Sequence, residues 1–306
     1  MDGKEILFRA RQLLNEDSGS SFLDDRTTYQ YVYEAAIELV ARTQCLKATQ
    51  SITTVADQVA YVLNADFLRL YLKNSRGNLF VKYNDGSSDT FITWDSYDNI
   101  IHGNQTTSVA VPVRFTILDK PALYALITGT ATSTAAISNG VATLTDTAAD
   151  FSNVSAGDII HNTTDASDGV VLSKTSSTVL VTALFGGTNN SWTSTNAYII
   201  QPQGRLQMVL DPPPTTAAQT VTVEYVQRPA PVFSLYGVYR FSPQYMNALI
   251  KYSAFLYKYR DKQADFGNAL YQFFDRETRA NKYAIDQSLN RTTLAVNLRK
   301  RRVDGR

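Results

Sequence analysis

The helical part of this fold is decided by the stretch SPQYMNALIKYSAFLYKYRDKQADFGNALYQFFDRETR, residues 242–279. It predicts two helices separated by a break near Asp261 and Lys262. Ser242 is a favourable N-cap, and Pro243 suits the first helical position, where a backbone N–H has no helical partner. Small or apolar side chains then recur three and four residues apart, as on a buried helix face: Met246, Leu249, Ile250, Ser253 and Tyr257.

Both helices of this stretch carry more than one apolar face. The opposite face of the first helix is aromatic, with Tyr245, Tyr252, Phe255 and Tyr259. The second helix has Phe266, Ala269, Leu270, Phe273 and Phe274. A helix with two apolar faces needs more than one neighbour, which can belong to the same chain or to another subunit. Periodicity leaves both open, so we keep four aromatic residues as subunit-interface candidates: Tyr252, Phe255, Tyr259 and Phe274.

Two further helices are predicted at the other end of the chain. Residues 2–16 place Ile6, Leu7, Ala10, Leu13 and Leu14 on one side. Asp24 or Asp25 can cap the second helix. Its stripe is spaced three and four residues apart and comprises Tyr29, Val32, Tyr33, Ala36, Ile37 and Val40. We expect these helices and the C-terminal pair to form a small bundle.

From Leu46 the apolar period changes from helical spacing to two, which predicts a β-section. Strands are expected at 51–55 and 59–63, around the turn 56–58. Another pair is expected at 205–210 and 220–225, joined as a hairpin by a stiff proline-rich connection. Asn84–Asp89 and Asp165–Gly169 have the composition of hairpin turns, and the alternative reading as calcium loops lacks the later glutamate and the ligand count of an EF-hand.

The composition changes sharply between residues 129 and 202, which are rich in Thr, Ser, Ala, Gly and Asn. Five short β-like runs alternate with turns there, at 140–144, 158–161, 170–173, 178–182 and 197–200. This spacing is typical of a small barrel or sandwich. The predicted fold class is therefore α+β: a core of helices and a β-section over 1–128 and 203–285, an inserted all-β domain over 129–202, and a basic tail over 286–306.

Composition and motifs argue against several classes of function. Twenty-nine basic against 28 acidic side chains give a charge of +1, which is too balanced for a protein that coats nucleic acid. The sequence shows no membrane span, secretory signal, zinc spacing or phosphate-binding loop. One cysteine, Cys45, excludes an internal disulfide framework and fits synthesis in a reducing cytoplasm. We expect no catalytic site, metal or cofactor.

Several segments together resemble the head-to-tail adaptor proteins of tailed bacteriophages. Phe22–Asp25 before a Tyr/Ala-rich helix is similar to the entry of that family's second helix. Residues 51–69, SITTVADQVAYVLNADFLR, resemble its β-hairpin and the segment that follows. Residues 209–214, VLDPPP, then Val223–Tyr225 and Ser242–Tyr245, resemble its closing strands and third helix. The resemblance covers about 1–128 and 203–285.

The resemblance implies a function as a structural part of the virion. Such proteins form a ring, twelve-fold in that family, which lies in the neck below the portal protein, prolongs the DNA channel and receives the next tail or neck protein. DNA passes through without sequence-specific binding during ejection. The family's C-terminal segment tends to dock on the portal. By position this implies a docking role for Arg291, Leu294, Leu298, Arg299, Lys300, Arg301 and Arg302.

Other interpretations remain open at this point. The basic run 299–302 can be a solvated tail, a docking segment or a DNA contact, although no aromatic residues alternate with its basic residues. The β-insert can be a binding module for a glycan or a capsid surface, with Trp192, Tyr198, Asn189 and Asn190 as first candidates. A buried packing role for Trp192 is the competing interpretation. A carboxylate-based hydrolase has no converging residues to support it.

Overall fold

The computed structural model describes residues 2–15, 24–73, 78–79, 81–101, 109, 111–138, 140–260, 265 and 267–280. Helices and β-sheets are both abundant, at 28% and 36%, which establishes the α+β class. Two compact units can be distinguished. The helical unit combines residues 5–43 with the chain from Arg240 onward, and the β unit combines residues 2–4 with 44–239. The predicted domain bounds divide the chain differently and remain a prediction.

Four α-helices of more than ten residues lie in the described parts of the chain. They are α1 (Gly3–Leu14), α2 (Asp25–Thr43), α4 (Met246–Arg260) and α5 (residues 267–280). A short helix, α3 (Tyr97–Ile101), belongs to the β unit. All four long helices were predicted, with bounds that differ by a few residues. The predicted break near Asp261 and Lys262 lies outside the described residues.

The helices begin at the predicted cap residues, but not every cap residue makes a side-chain capping hydrogen bond. Asp24 caps α2: the backbone N–H of Thr27 donates to its Oδ1 at 2.7 Å. Pro243 begins a 3₁₀ turn, Pro243–Tyr245, that leads directly into α4. Ser242 occupies the N-cap position, yet its side chain makes no capping hydrogen bond. The prediction for Ser242 was therefore right in position and wrong in mechanism.

The predicted buried faces of the helices are largely confirmed. The whole first face of α4 is buried, from Met246 to Tyr257, and α4 packs against α2. In α1 the predicted stripe is buried except for Leu13. In α5 the prediction was only half right, because Leu270 and Phe274 are buried whereas Ala269 and Phe273 are exposed. A run of consecutive apolar residues does not itself say which of them faces inward.

The β unit contains seventeen strands in the described residues. Their bounds are β1 Lys47–Thr53, β2 Ala60–Val62, β3 Phe67–Leu70, β4 Leu72–Lys73, β5 Asn78–Leu79, β6 Val81–Asn84, β7 Asp89–Phe91, β8 Thr93–Trp94, β9 Arg114–Ala122, β10 Ile127–Thr130, β11 Ala142–Thr145, β12 Ile159–Asn162, β13 Ser167–Ser176, β14 Val179–Phe185, β15 Ala197–Gln201, β16 Arg205–Asp211 and β17 Thr220–Gln227.

Two of the sheets pack face to face as a sandwich. One has the order β1-β17-β6-β7, with β3 also pairing with β17, and the other has the order β2-β16-β9-β8. Their inner faces share one apolar core, to which the first sheet contributes Val81 and Val223 and the second contributes Phe115 and Met208. A third pair, β4 and β5, is separate. The sandwich is the β-section that the period of two predicted.

Two predicted hairpins are instead crossings between these sheets. The turn at 56–58 connects β1 and β2, which belong to different sheets, and the proline-rich segment 212–219 does the same for β16 and β17. The two crossings hydrogen-bond to each other, because Thr54 N–H donates to Gln219 O at 2.8 Å and Asp57 N–H to Pro214 O at 2.9 Å. Prolines lack the N–H that a ladder needs, which explains why β16 ends at Asp211, directly before Pro212.

A six-stranded antiparallel sheet spans Ile127–Gln201 in the order β10-β15-β12-β13-β14-β11. Its two edge strands approach each other where Thr132 N–H donates to Thr145 O at 2.7 Å. All five predicted β-runs of the segment are strands here, and β10 is an additional one. That the segment is an inserted domain stays a prediction.

Of the two predicted Asp-Gly turns, Asn84–Asp89 is confirmed, whereas the second turn precedes its Asp-Gly pair, because Asp168 and Gly169 lie in β13. Asn84–Asp89 joins β6 to β7, and the turn at 163–166 joins β12 to β13. In the first turn, the Asp85 carboxylate accepts the backbone N–H groups of Ser87 and Ser88, each at 2.8 Å. Its oxygen atoms therefore stabilise the turn itself.

Burial of a tyrosine in the sandwich predicts a loss of stability at alkaline pH. The Tyr225 hydroxyl donates to Asp66 Oδ1 at 2.7 Å, and burial raises the pKa of Tyr225 to about 12. The unfolded chain therefore releases this proton first, near its ordinary pKa of about 10. The free energy of unfolding should fall as the pH rises from about 10 to about 12.

The measurement is urea unfolding at about pH 8 and about pH 11 for the wild type and for Tyr225→Phe. Phenylalanine keeps the stacking on Phe67, whose ring centroid lies 5.3 Å away, but it has no proton to lose. The decrease between the two pH values should be smaller in the variant. An equal decrease in both proteins would contradict the assignment.

Candidate contact surfaces

The aromatic face of α4 packs on α5 of the same chain. Tyr252, Phe255 and Tyr259 lie three and four residues apart, and so do Gly267, Tyr271 and Phe274 on α5. The Tyr252 and Phe274 rings are tilted against each other with centroids 4.4 Å apart, and the Phe255 ring centroid lies 5.3 Å from that of Tyr271. Gly267 lies beside Phe255 and Tyr259, and a Cβ at this position would meet Phe255 Cδ2 at 3.5 Å, an ordinary contact. An antiparallel aromatic seam results.

Arg42 at the end of α2 connects this seam to the second helix. Its guanidinium donates to Glu38 at 2.5 Å, to Asp275 at 3.1 Å and to the Tyr271 hydroxyl at 3.1 Å. It also lies over the Phe274 ring, 5.2 Å from the centroid. Burial opposes its charge, but the hydrogen bonds to Tyr271 and Glu38 outweigh burial and raise the pKa of Arg42. Its distance in sequence from Asp275 gives no local signal for this contact.

The four predicted interface residues differ in how much surface they offer to another subunit. Phe274 is completely buried, so its ring belongs to the core of the helical unit. Tyr252 and Phe255 are half-buried. Tyr259 is 66% exposed, and Phe273, which was assigned to a buried face, is 51% exposed. Tyr259 is therefore the member of the set with most surface available, and a subunit interface at these residues remains a prediction.

The two aromatic rings that were candidates for binding a glycan are not exposed at the surface. Trp192 and Tyr198 are both buried in the six-stranded sheet, where the Trp192 indole N–H donates to Thr182 Oγ1 at 2.9 Å. Asn189 and Asn190 accept hydrogen bonds from Ser191 and Gly187 within their own loop. The buried packing role of Trp192 is confirmed. A sugar at the surface cannot stack on either ring.

The predicted portal-docking residues fall outside the described parts of the chain: Arg291, Leu294, Leu298, Arg299, Lys300, Arg301 and Arg302. The described residues contain no group of three or more His, Cys, Asp or Glu that could hold a metal ion. The helices of the described segments are all too short or too polar to cross a membrane.

Comparison with protein families identifies the chain. The family called SU10 adaptor protein matches residues 126–299, more than half of the sequence. The chain belongs to the SU10 adaptor family. It is therefore a phage structural adaptor, as the resemblance predicted at this coarser level. No curated protein matches the chain.

The extent of the family match differs from that of the segments that suggested an adaptor. It contains the six-stranded sheet, β16, β17, α4 and α5, whereas the resemblance rested on about 1–128 and 203–285. In this SU10 adaptor, the segment taken for an insert is thus part of the matched region. The match also reaches into the tail and includes Arg291, Leu294, Leu298 and Arg299.

Proposed function

We propose that this protein is the head-to-tail adaptor of a tailed phage. Twelve copies form a ring in the neck of the virion, directly below the portal protein. The ring prolongs the channel through which DNA is ejected and provides the platform for the next tail or neck protein. In this proposal the protein has no catalytic role and needs no cofactor.

Membership of the SU10 adaptor family is the observation that carries the proposal. The helical unit supports it, because it leaves the aromatic side chains of Tyr259 and Phe273 exposed. Aromatic side chains are favoured where subunits meet, since one ring buries a large area. The net charge of +1 suits a conduit, because strong phosphate binding would retard DNA passage.

The basic tail, residues 286–306, is the segment proposed to dock on the portal. Its run Arg299–Arg302 puts four positive charges in succession, and Leu294 and Leu298 lie four residues apart. Such a segment fits an acidic crevice that also has apolar contacts. Charge complementarity of this kind mainly raises the association rate and sets specificity.

Deletion of residues 286–306 should leave the body of the protein folded and abolish its binding to the portal. Mass photometry of the protein with the portal measures the stoichiometry, and thermal unfolding checks the fold. A variant in which residues 299–302 are all glutamate should lose binding, while a variant with glutamine at these positions should lose less. Portal binding that survives the deletion would contradict the docking role of the tail.

The ring itself is tested by the same measurement on the full chain, alone and with portal. A ring of the chain alone with a mass near twelve times 34.0 kDa, or the same increase in the mass of the assembled portal, supports the proposed function. If the full chain stays monomeric in the presence of assembled portal, the proposed function is contradicted.

A further inference from the structure

The β-sandwich has two lateral edges. Gln50 of β1 donates from Nε2 to Val62 O of β2 at 3.1 Å and accepts Asn64 N–H at 2.8 Å, so β1 and β2 lie on the same side. β7 is followed directly by β8, with only Ile92 between them, so these two strands form the opposite edge of the sandwich. In both sheet orders these strands are terminal. The β1/β2 edge and the β7/β8 edge therefore face opposite directions.

The β1/β2 edge offers unpaired backbone groups. β1 pairs with β17 in one uninterrupted register, and the hydrogen bonds Thr54 N–H to Gln219 O and Gln227 N–H to Leu46 O identify the even-numbered residues as those bonded to β17. By the alternation of an antiparallel ladder, the N–H and C=O groups of Thr49 and Ser51 point away from β17. No strand of the described residues pairs with them. An open, regular edge of seven residues is a template for strand addition.

Exposed apolar side chains lie at both edges. Val55 and Val62 are exposed beside β1 and β2. At the other edge Phe91, Trp94 and Val113 are each more than half exposed, and Thr93 N–H bonds to Val113 O at 3.1 Å, which places Val113 beside β8. Large aliphatic and aromatic groups at the surface mark contact sites when they lie together.

We propose that the sandwich is a subunit interface, in which the β1/β2 edge of one copy binds the β7/β8 edge of the next. The occupant is a second copy of this chain because the two edges lie on opposite sides of one body and are complementary. Both edges end in strands that are terminal in their sheets, so β1 of one copy can add to a terminal strand of the next, and exposed apolar side chains flank both edges. A head-to-tail contact between different surfaces generates a ring when its rotation closes. The inference rests on the proposed ring and assigns its interface.

Two variants each disable one edge. Thr49→Pro removes an outward N–H and places the proline ring at the open side of β1, where proline is compatible with a strand. Thr49→Val keeps the N–H and is its control. Trp94→Glu puts a charge into the apolar edge, and Leu123→Glu, at a residue that is 81% exposed and precedes β10, is its control.

Mass photometry of the full chain under the conditions where the wild type assembles gives the decisive result. Each edge variant should fall from the ring mass to the 34.0 kDa monomer, whereas both controls should assemble. An equimolar mixture of Thr49→Pro and Trp94→Glu retains one intact edge of each kind, so it should form heterodimers and nothing larger. Thermal unfolding must show all four variants folded.

The outcomes separate the interface from the ring. A wild type that forms rings while both edge variants also form rings would overturn the interface and leave the proposed function intact. Rings in the mixture, when each variant alone is monomeric, would show that the two edges do not bind each other. A wild type that never assembles, with portal present, would overturn the proposed function and the interface with it.

Discussion

Phe274→Ala is expected to lower the free energy of unfolding by about 3–5 kcal/mol, the usual cost of removing a buried phenylalanine. The Phe274 ring is completely buried, 4.4 Å from the Tyr252 centroid and 5.2 Å from the Arg42 guanidinium. Alanine would leave a cavity at the centre of the aromatic seam. It would also remove one of the two rings against which Arg42 is held.

The neighbouring residue supplies the control. Phe273 has the same side chain in the same helix but is 51% exposed, so Phe273→Ala should cost less than about 1 kcal/mol. Urea unfolding followed by the helical circular dichroism signal measures both variants. Similar losses in the two would contradict the placement of Phe274 in the core. A large loss for Phe274→Ala also makes any assembly defect of that variant a folding defect rather than evidence for an interface.

Gly169→Ala is expected to destabilise the six-stranded sheet by about 3 kcal/mol or more, at the upper end for an overpacked site. Gly169 lies in β13 opposite Leu184 of β14. A Cβ at this position would be 2.4 Å from the backbone oxygen of Ala183 and 2.6 Å from Leu184 Cδ2. A backbone atom in a paired strand can move away only if β14 shifts as a whole.

Fluorescence provides a local measurement of this effect. The protein has two tryptophans, of which Trp192 is buried in the six-stranded sheet and Trp94 is exposed on the sandwich. The Trp192 transition should therefore move to lower urea concentration in Gly169→Ala. Gly267→Ala is the matched control, because its Cβ would meet nothing closer than 3.5 Å and alanine favours a helix by up to about 1 kcal/mol. An unchanged Trp192 transition in Gly169→Ala would contradict the close approach.

Local signals in the sequence predicted the elements well. The periodic faces of α2 and α4, the cap at Asp24 and the turn at Asn84–Asp89 all appear where the residues indicate them. Each of these features depends on residues that are close together in the sequence. The adaptor family was also reached from the order of the elements, and the family match agrees at that level.

The partners of those elements were not predictable in the same way. Strands joined by a short turn were assumed to pair, but β1 and β2 belong to different sheets, as do β16 and β17. The aromatic face of α4 had two possible neighbours, and α5 of the same chain covers most of it. Tyr252 and Phe255 could not be ranked against Tyr259 until burial was known.

The sequence by itself therefore determined which segments are helices and strands, where several of them begin, and that the protein is a phage adaptor. Only the tertiary structure decided which faces meet and which edges stay open. The physical reason is the separation in sequence of the residues that interact. Periodicity and capping reflect contacts within a few residues, whereas the contact of Arg42 with Asp275 and the open edge of β1 depend on segments far apart in the chain.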